Sequence, residues 1–374
     1  MKLLFVFGTR PEAIKLAPLI NLALGDSRFE VRICVTGQHR QMLQQVLWLF
    51  GITPDFDLRL MKANQTLTDI TCGVLKGLEE VLDQWTPDRI VVHGDTTTTF
   101  AASLAAFYRR VGVVHVEAGL RTGNLHAPWP EELNRKLTAV IAMQHFAPTQ
   151  AARANLLAEN VPQETIAVVG NTVVDAVTMV ADKVRSDQEL LRKFKAEFNF
   201  LQEGARLILV TGHRRENFGD GMLQLCAALT ELAKKKNVQV VFPVHLNPNV
   251  RSVVQAQLAG VGNIFLLEPL EYSSFVYLMT RAHHIITDSG GIQEEAVTLR
   301  KPVLITRDVT ERPEAITSNG ANLVGMNAGR IMEASARLLD SSEYYDSIAG
   351  HKNPFGDGTS SRQILNALVA GNKG

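Results

Sequence analysis

The chain has 374 residues, length enough for two domains with a core each. Its 38 basic and 38 acidic side chains cancel to a formal net charge of zero. No global field therefore exists to capture nucleic acid or an anionic membrane, and any anion site must be local. The three cysteines, Cys34, Cys72 and Cys226, lie far apart in no metal-ligand spacing, and no apolar run is long enough to span a bilayer. The expectation is a soluble cytoplasmic protein with reduced thiols.

Leu3–Phe7 is an apolar run ending at Gly8, with no small-residue cleavage site after it, so it reads as a first strand and not a signal peptide. Pro11 stands where a first helical residue belongs, and Glu12–Leu24 has helical apolar spacing. The alternation continues with strand Val31–Val35, helix Gln41–Phe50, a strand near Phe56–Leu60 and helix Leu67–Gln84. Strand Arg89–His93, helix Thr97–Arg110, strand Val113–Val116, helix Glu131–Met143, strand His145–Ala147 and helix Gln150–Glu159 come next, and Ile166–Gly170 closes the series. Asp182–Gly204 is charged and helical-looking, suited to carrying the chain onward. A second cycle follows: strands Leu207–Val210, Val238–Val241, Ile264–Leu267, His284–Thr287 and Val303–Ile305, with helices Met222–Lys235, Val250–Leu258, Ser273–Ala282 and Gly329–Leu339.

Strands alternating with helices mean a parallel sheet, and strands apolar on both faces mean helices on both sides. The predicted fold is α/β: two doubly wound, Rossmann-like domains, residues 1–168 and 169–355, with a cleft between them. A terminal helix in 356–374 is expected to return to the first domain. Ligands of such sheets bind at the carboxyl ends of the strands. The polar motifs fall there: Gly8-Thr9-Arg10, His93-Gly94-Asp95, Glu117-Ala118-Gly119, Gly212-His213-Arg214 and Asp288-Ser289-Gly290.

The most informative stretch is Ile285–Ala296, IITDSGGIQEEA. A buried strand runs into a Ser-Gly-Gly turn and then a helix. Gly290 and Gly291 let the backbone take conformations closed to other residues and approach a ligand closely. Their N–H groups and the helix N-terminus make a site for phosphate or diphosphate. Glu295, one turn on, can accept from ribose hydroxyls. Plainer roles compete at each position. Ser289 can be a helix cap, Asp95 can cap the helix begun by Thr96–Thr99, Arg10 can pair with Glu12 on the surface, and His213 can be a hydrogen-bonded loop histidine. Glu131, behind Pro128-Trp129-Pro130, can be a first-turn acid favoured by the helix dipole. Glu117 is harder to dismiss, because it ends an apolar strand and precedes Ala-Gly. No P-loop, no G-x-G-x-x-G after the first strand, no Tyr-x-x-x-Lys and no zinc spacing occur, which points away from a redox cofactor or a structural metal.

Several long motifs stand in order: FGTRPEAIKLAPL at 7–19, HGDTTTT at 93–99, HVEAGLRTGN at 115–124 and PEELNR at 130–135, then TGHRREN at 211–217, PVHLNPNV at 243–250, TDSGGIQEEA at 287–296, TERPEA at 310–315 and NPFGDG at 353–358. Together they cover almost the whole chain and resemble the non-hydrolysing UDP-N-acetylglucosamine 2-epimerase family of bacteria. The resemblance implies a fold of the glycosyltransferase-B type, a homodimer, no cofactor, and interconversion of UDP-GlcNAc and UDP-ManNAc for surface polysaccharide. It implies a catalytic set of Asp95, Glu117, Glu131 and His213. It further implies contacts to UDP or the sugar from Arg10, Lys15, Asp95, Glu117, His213, Phe275, Ser289, Gly290, Gly291, Glu295 and Arg312. A position near the uracil that is often Gln in the family is Leu270 here. Some relatives hold a second, activating UDP-GlcNAc; the matching positions are Gln38, Gln41, Glu131, Arg214 and His245, and an arginine of those relatives is Asn64 here. Three other readings stay open: a hydrolysing epimerase, a glycosyltransferase on the same fold, and a non-catalytic UDP-sugar sensor.

Overall fold

The computed structural model describes residues 1–37, 40–62, 65–310 and 312–370, with residues 40 and 41 described by backbone alone. Strands β1 (Lys2–Phe7), β2 (Glu30–Val35), β3 (Phe56–Asp57), β4 (Arg89–His93), β5 (Gly112–Val116), β6 (Gln144–Ala147) and β7 (Ile166–Val168) form a parallel sheet in the order β3-β2-β1-β4-β5-β6-β7. Strands β8 (Arg206–Thr211), β9 (Val238–Pro243), β10 (Ile264–Leu267), β11 (Ala282–Thr287), β12 (Val303–Ile305) and β13 (Ala321–Leu323) form a second, in the order β10-β9-β8-β11-β12-β13. These are the two doubly wound sheets that the alternating pattern predicts. The chain clusters into two compact units, Met1–Ala176 with Phe355–Gly374, and Val177–Pro354.

Leu3, Leu4, Phe5, Val6 and Phe7 are all 0% exposed, so β1 is buried on both faces. Each such side chain contributes roughly 1.5–3 kcal/mol on leaving water, which holds the run at the sheet centre. The helix after it, Arg10–Leu24, starts two residues before the Glu12 expected from spacing. Thr9 is the reason. Its side chain caps the helix, and Glu12 returns the bond to the Thr9 backbone at 2.8 Å, with Pro11 in the first turn.

The strand expected near Phe56–Leu60 stops at Asp57. Arg59 has φ 51°, which turns the chain. Leu58 and Leu60 then pack as loop residues on Gly77 and Gly73 of helix Leu67–Gln84. Helix Thr172–Ser186 begins ten residues before the charged stretch that suggested it. Val173, Val174, Val177, Val180 and Val184 are buried at helical spacing. Asp187 then caps a separate helix, Gln188–Glu197, accepting from the N–H groups of Glu189 and Leu190 at 3.0 Å.

The returning segment seats closely on the first unit. Gly170 has φ 84°, and a Cβ there would stand 2.8 Å from Ser360 Oγ and 2.9 Å from the Phe355 carbonyl oxygen. Asn171 N–H donates to that same oxygen at 2.7 Å, and Ser361 N–H donates to Asp175 at 2.9 Å. Helix Ser360–Ala370 packs on Arg10–Leu24. No helix among the described residues is long and apolar enough to cross a membrane.

Candidate active site

In the first unit the sheet order reverses between β1 and β4, and the acidic residues gather at that end. Glu117 follows β5 with φ 62°, a left-handed conformation costly for a residue with a Cβ. Its neighbour Gly119 cannot be larger: a Cβ there would lie 2.3 Å from the Ala152 carbonyl oxygen. Glu117 is 9% exposed, and its carboxylate accepts from Lys15 Nζ and from Asn171 Nδ2, the latter at 2.7 Å. Asp95, after β4, is not the cap of the next helix; Thr96 takes that place and accepts from the Thr99 N–H at 3.1 Å. The Asp95 carboxylate instead receives two bonds from the Arg135 guanidinium, at 2.7 and 2.9 Å. Asn134 binds the Asp95 carbonyl oxygen at 2.9 Å. Helix Glu131–Ile141 is thereby tied to the end of β4.

Glu131 and Glu132 are adjacent but differ in their surroundings. Glu132 is fully buried and satisfied, accepting from the N–H groups of Thr122 and Gly123 and from Arg135. Glu131 leaves Oε2 buried with no hydrogen-bond partner among the described residues. An orphaned carboxylate oxygen is costly in a structure that only has to fold, and points to a ligand. Glu12 is no surface partner for Arg10. It is 2% exposed, and binds the Gly8 and Thr9 N–H groups and the hydroxyls of Thr96 and Thr99. Burial pushes its carboxyl up, and those donors oppose the shift.

In the second unit a helix N-terminus stands at the end of β11. Helix Gly290–Thr298 opens with Ser289 at the cap position but with no side-chain cap bond. Its first N–H groups are therefore available to a ligand. Gly290 and Gly291 do not adopt a left-handed conformation; both lie in the helix's first turn, where N–H groups converge without one. Their value is space. Among the described residues a Cβ at Gly291 would meet nothing within 4 Å, and one at Gly290 would face the Arg312 guanidinium at 3.8 Å. Arg312 is itself fixed by Glu294, Nε to Oε1 at 2.6 Å. Glu295 accepts from the Tyr272 hydroxyl at 2.8 Å. Phe275, on helix Tyr272–Arg281, and Leu270 just before it are half-buried.

His213 follows β8. Asp288, 0% exposed, accepts the N–H groups of His213 and Arg214 at 2.9 Å and Asn217 Nδ2 at 3.0 Å, all on Oδ2. Its Oδ1 lies 3.3 Å from His213 Nδ1. Burial lowers the His213 pKa and the Asp288 charge opposes it, so the ring stays neutral at pH 7. Asp288 Oδ1 has no hydrogen-bond partner among the described residues, and a carboxylate beside Nδ1 favours the proton on that nitrogen. The rings of His213 and His245 stack, centroids 5.7 Å apart, and Arg214 is half-buried beside them. Gln38 and Asn64 lie outside the described residues, and so does the side chain of Gln41.

Residues 23–369 match the protein family described as UDP-N-acetylglucosamine 2-epimerase. A UDP-N-acetylglucosamine 2-epimerase of Yersinia pestis is 55% identical over 369 residues, 98% of each chain. The chain belongs to the UDP-N-acetylglucosamine 2-epimerase family. The epimerase of Neisseria meningitidis, solved bound to UDP-GlcNAc, is 49% identical with a TM-score of 0.93, covering 99% of this chain and 100% of its own. That of Methanocaldococcus jannaschii, in complex with UDP-GlcNAc and UDP, is 33% identical with a TM-score of 0.83 over 99% of this chain and 100% of its own. The fold is thus the glycosyltransferase-B type that these epimerases share.

Within the first unit, then, the geometry joins Lys15 to Glu117, and ties the loop that carries Asp95 to the helix that carries Glu131. Within the second it joins His213 to Asp288, and Gly290 to Arg312. Sequence reasoning missed Asn171 as a partner of Glu117 and Asp288 as the anchor of His213. Asn171 is 54 residues from its partner, and no spacing rule spans that distance.

Proposed function

We propose that the chain interconverts UDP-GlcNAc and UDP-ManNAc by elimination and re-addition, without net hydrolysis. The observation that carries this reading is Glu117: a buried carboxylate on strained backbone, held by an ammonium and an amide at a strand end. The C2 hydrogen of the sugar is not next to a carbonyl, so simple deprotonation is too costly. Elimination avoids that. The C–H electron pair becomes the C1=C2 bond of 2-acetamidoglucal as the C1–O bond breaks and UDP leaves. Reprotonation at C2 from the other face and return of UDP to C1 give the epimer. Asp95, Glu117 and Glu131 supply the acid and base groups. In the second unit the N-terminus of Gly290–Thr298, Arg312 and neutral His213 suit the departing diphosphate; in the first, Arg10 and Lys15 carry positive charge suited to phosphate. Glu295 takes the ribose and Phe275 the uracil, with Leu270 contributing through its backbone. ManNAc units for surface polysaccharide are the product's use.

Incubation with UDP-GlcNAc alone tests the reaction class. UDP-ManNAc is expected to accumulate to a fixed ratio with its epimer. Free ManNAc and UDP in equal amounts, with no UDP-ManNAc, would mean a hydrolysing enzyme; unchanged ligand would mean a sensor. Arg214 and His245 beside His213 suit a second, activating UDP-GlcNAc, and a homodimer is the assembly we assign. Sedimentation is expected to show twice the 41.1 kDa chain mass, and a stable monomer at micromolar concentration would contradict that assembly.

Gly291→Ala separates binding from folding. An added methyl meets nothing within 4 Å among the described residues, and alanine is better than glycine in a helix by roughly 0.5–1 kcal/mol. The melting temperature is expected to hold or rise, while UDP affinity falls about 10-fold because the methyl stands where the phosphate meets the N–H groups. Calorimetric titration checks it; unchanged affinity would move the diphosphate away from this helix.

A further inference from the structure

On the elimination reading, a base that takes the C2 proton ends the step as a neutral acid. The two donors that meet Glu117 Oε2 favour its ionised form. Lys15 Nζ and Asn171 Nδ2 both donate to Oε2, and neither can accept. A protonated Glu117 carries an O–H that costs free energy in a buried site unless an acceptor meets it.

His93 is placed to meet it. The residue ends β4 and is 3% exposed. Its Nε2 is 4.0 Å from Glu117 Oε2 and has no hydrogen-bond partner among the described residues. Burial pushes the ring down to about 4, so it is neutral at pH 7 and one nitrogen keeps a lone pair. The charged groups facing it are Glu117, which opposes that shift, and Lys15, which adds to it. His115, on the neighbouring β5, is also neutral, pushed down to about 3 by burial, and its Nε2 is taken by the Gly94 carbonyl oxygen at 2.7 Å. The backbone of His93 is fixed, since its carbonyl oxygen accepts from the Thr99 hydroxyl at 2.6 Å. Closing 4.0 Å to a hydrogen bond takes about 1 Å of side-chain movement.

We propose that His93 is a positioning residue for Glu117, its Nε2 accepting the hydrogen bond of the protonated carboxyl while Lys15 and Asn171 hold the ionised form. The proton passes from C2 to a Glu117 oxygen as the C1–O bond breaks, is shared with His93 Nε2, and returns to C2 or leaves to solvent. It makes no difference which face of the ring Glu117 serves, because the carboxyl is protonated in one half of the cycle either way.

Two variants test this. His93→Leu fills much of the volume and has no acceptor; His93→Gln keeps an amide oxygen. In the leucine variant kcat is expected to fall roughly 10- to 100-fold, with KM and UDP affinity within about twofold of the native protein. The glutamine variant is expected to recover kcat to within about fivefold. Should His93→Leu melt early, His93→Phe takes its place. A kcat within about twofold of native in the leucine variant overturns the role. So does a glutamine variant as slow as the leucine one when both melt like the native protein. Exchange of solvent deuterium into C2 by the native protein separates the two levels. If the native protein exchanges and the variants are unaffected, only the role of His93 is lost. If the native protein never exchanges, the elimination reading fails and this role fails with it.

Discussion

Replacing Glu117 by glutamine is expected to cut turnover about 10³-fold while UDP affinity stays within about threefold. The amide has the shape of the carboxylate, so its oxygen can keep the bonds from Lys15 and Asn171. The strained backbone at φ 62° is likewise untouched. What disappears is the group proposed to exchange a proton with C2. Steady-state rates and calorimetric titration with UDP read the two effects separately. A large loss of UDP affinity with turnover reduced only in proportion would make Glu117 a binding residue.

The next largest effect is expected at Asp288, through stability. Asp288→Ala removes the acceptor of three bonds, two part-buried from the His213 and Arg214 N–H groups and one buried from Asn217. Leaving those donors unpaired costs about 3 kcal/mol, a fall of roughly 6–12 °C in the melting temperature of a unit this size. Asp288→Asn is expected to melt much closer to the native protein, because an amide oxygen can keep the same three donors. Its amide nitrogen then faces His213 Nδ1, 3.3 Å from the present Oδ1. That favours the other tautomer, so kcat is expected to fall although the fold is intact. Asp288→Ala melting within about 2 °C of native would show that water or a shifted side chain satisfies the donors.

Much of the fold was legible because its signals are local. Leu3–Phe7 is buried on both faces, and such a run can be little else than a central parallel strand. The candidate site was legible only to the level of residue type at strand ends. Asp95 and Thr96 compete for one cap, and the structure shows Thr96 taking it, which releases Asp95 to Arg135. Glu131 and Glu132 are the same residue type in one first turn. Only the bonds to Thr122 and Gly123 show which is structural. The Ser-Gly-Gly stretch suggests glycines in conformations closed to other residues, whereas Gly290 and Gly291 are helical and matter for the space they leave. Partners far apart in the chain, Asn171 with Glu117 and Asp288 with Asn217, have no periodic signature to read. Short elements such as Ala321–Leu323 and Pro313–Thr317 are set by packing rather than by pattern.

The central claim is that the C2 hydrogen is removed and replaced through carboxylates that meet solvent. Incubation with UDP-GlcNAc in deuterated water, followed at C2 by NMR, tests it most directly. UDP-ManNAc is expected to carry deuterium at C2, recovered UDP-GlcNAc to gain it as well, and a little free UDP with 2-acetamidoglucal to appear as the intermediate escapes. UDP-ManNAc that keeps its original hydrogen at C2 throughout would contradict the account.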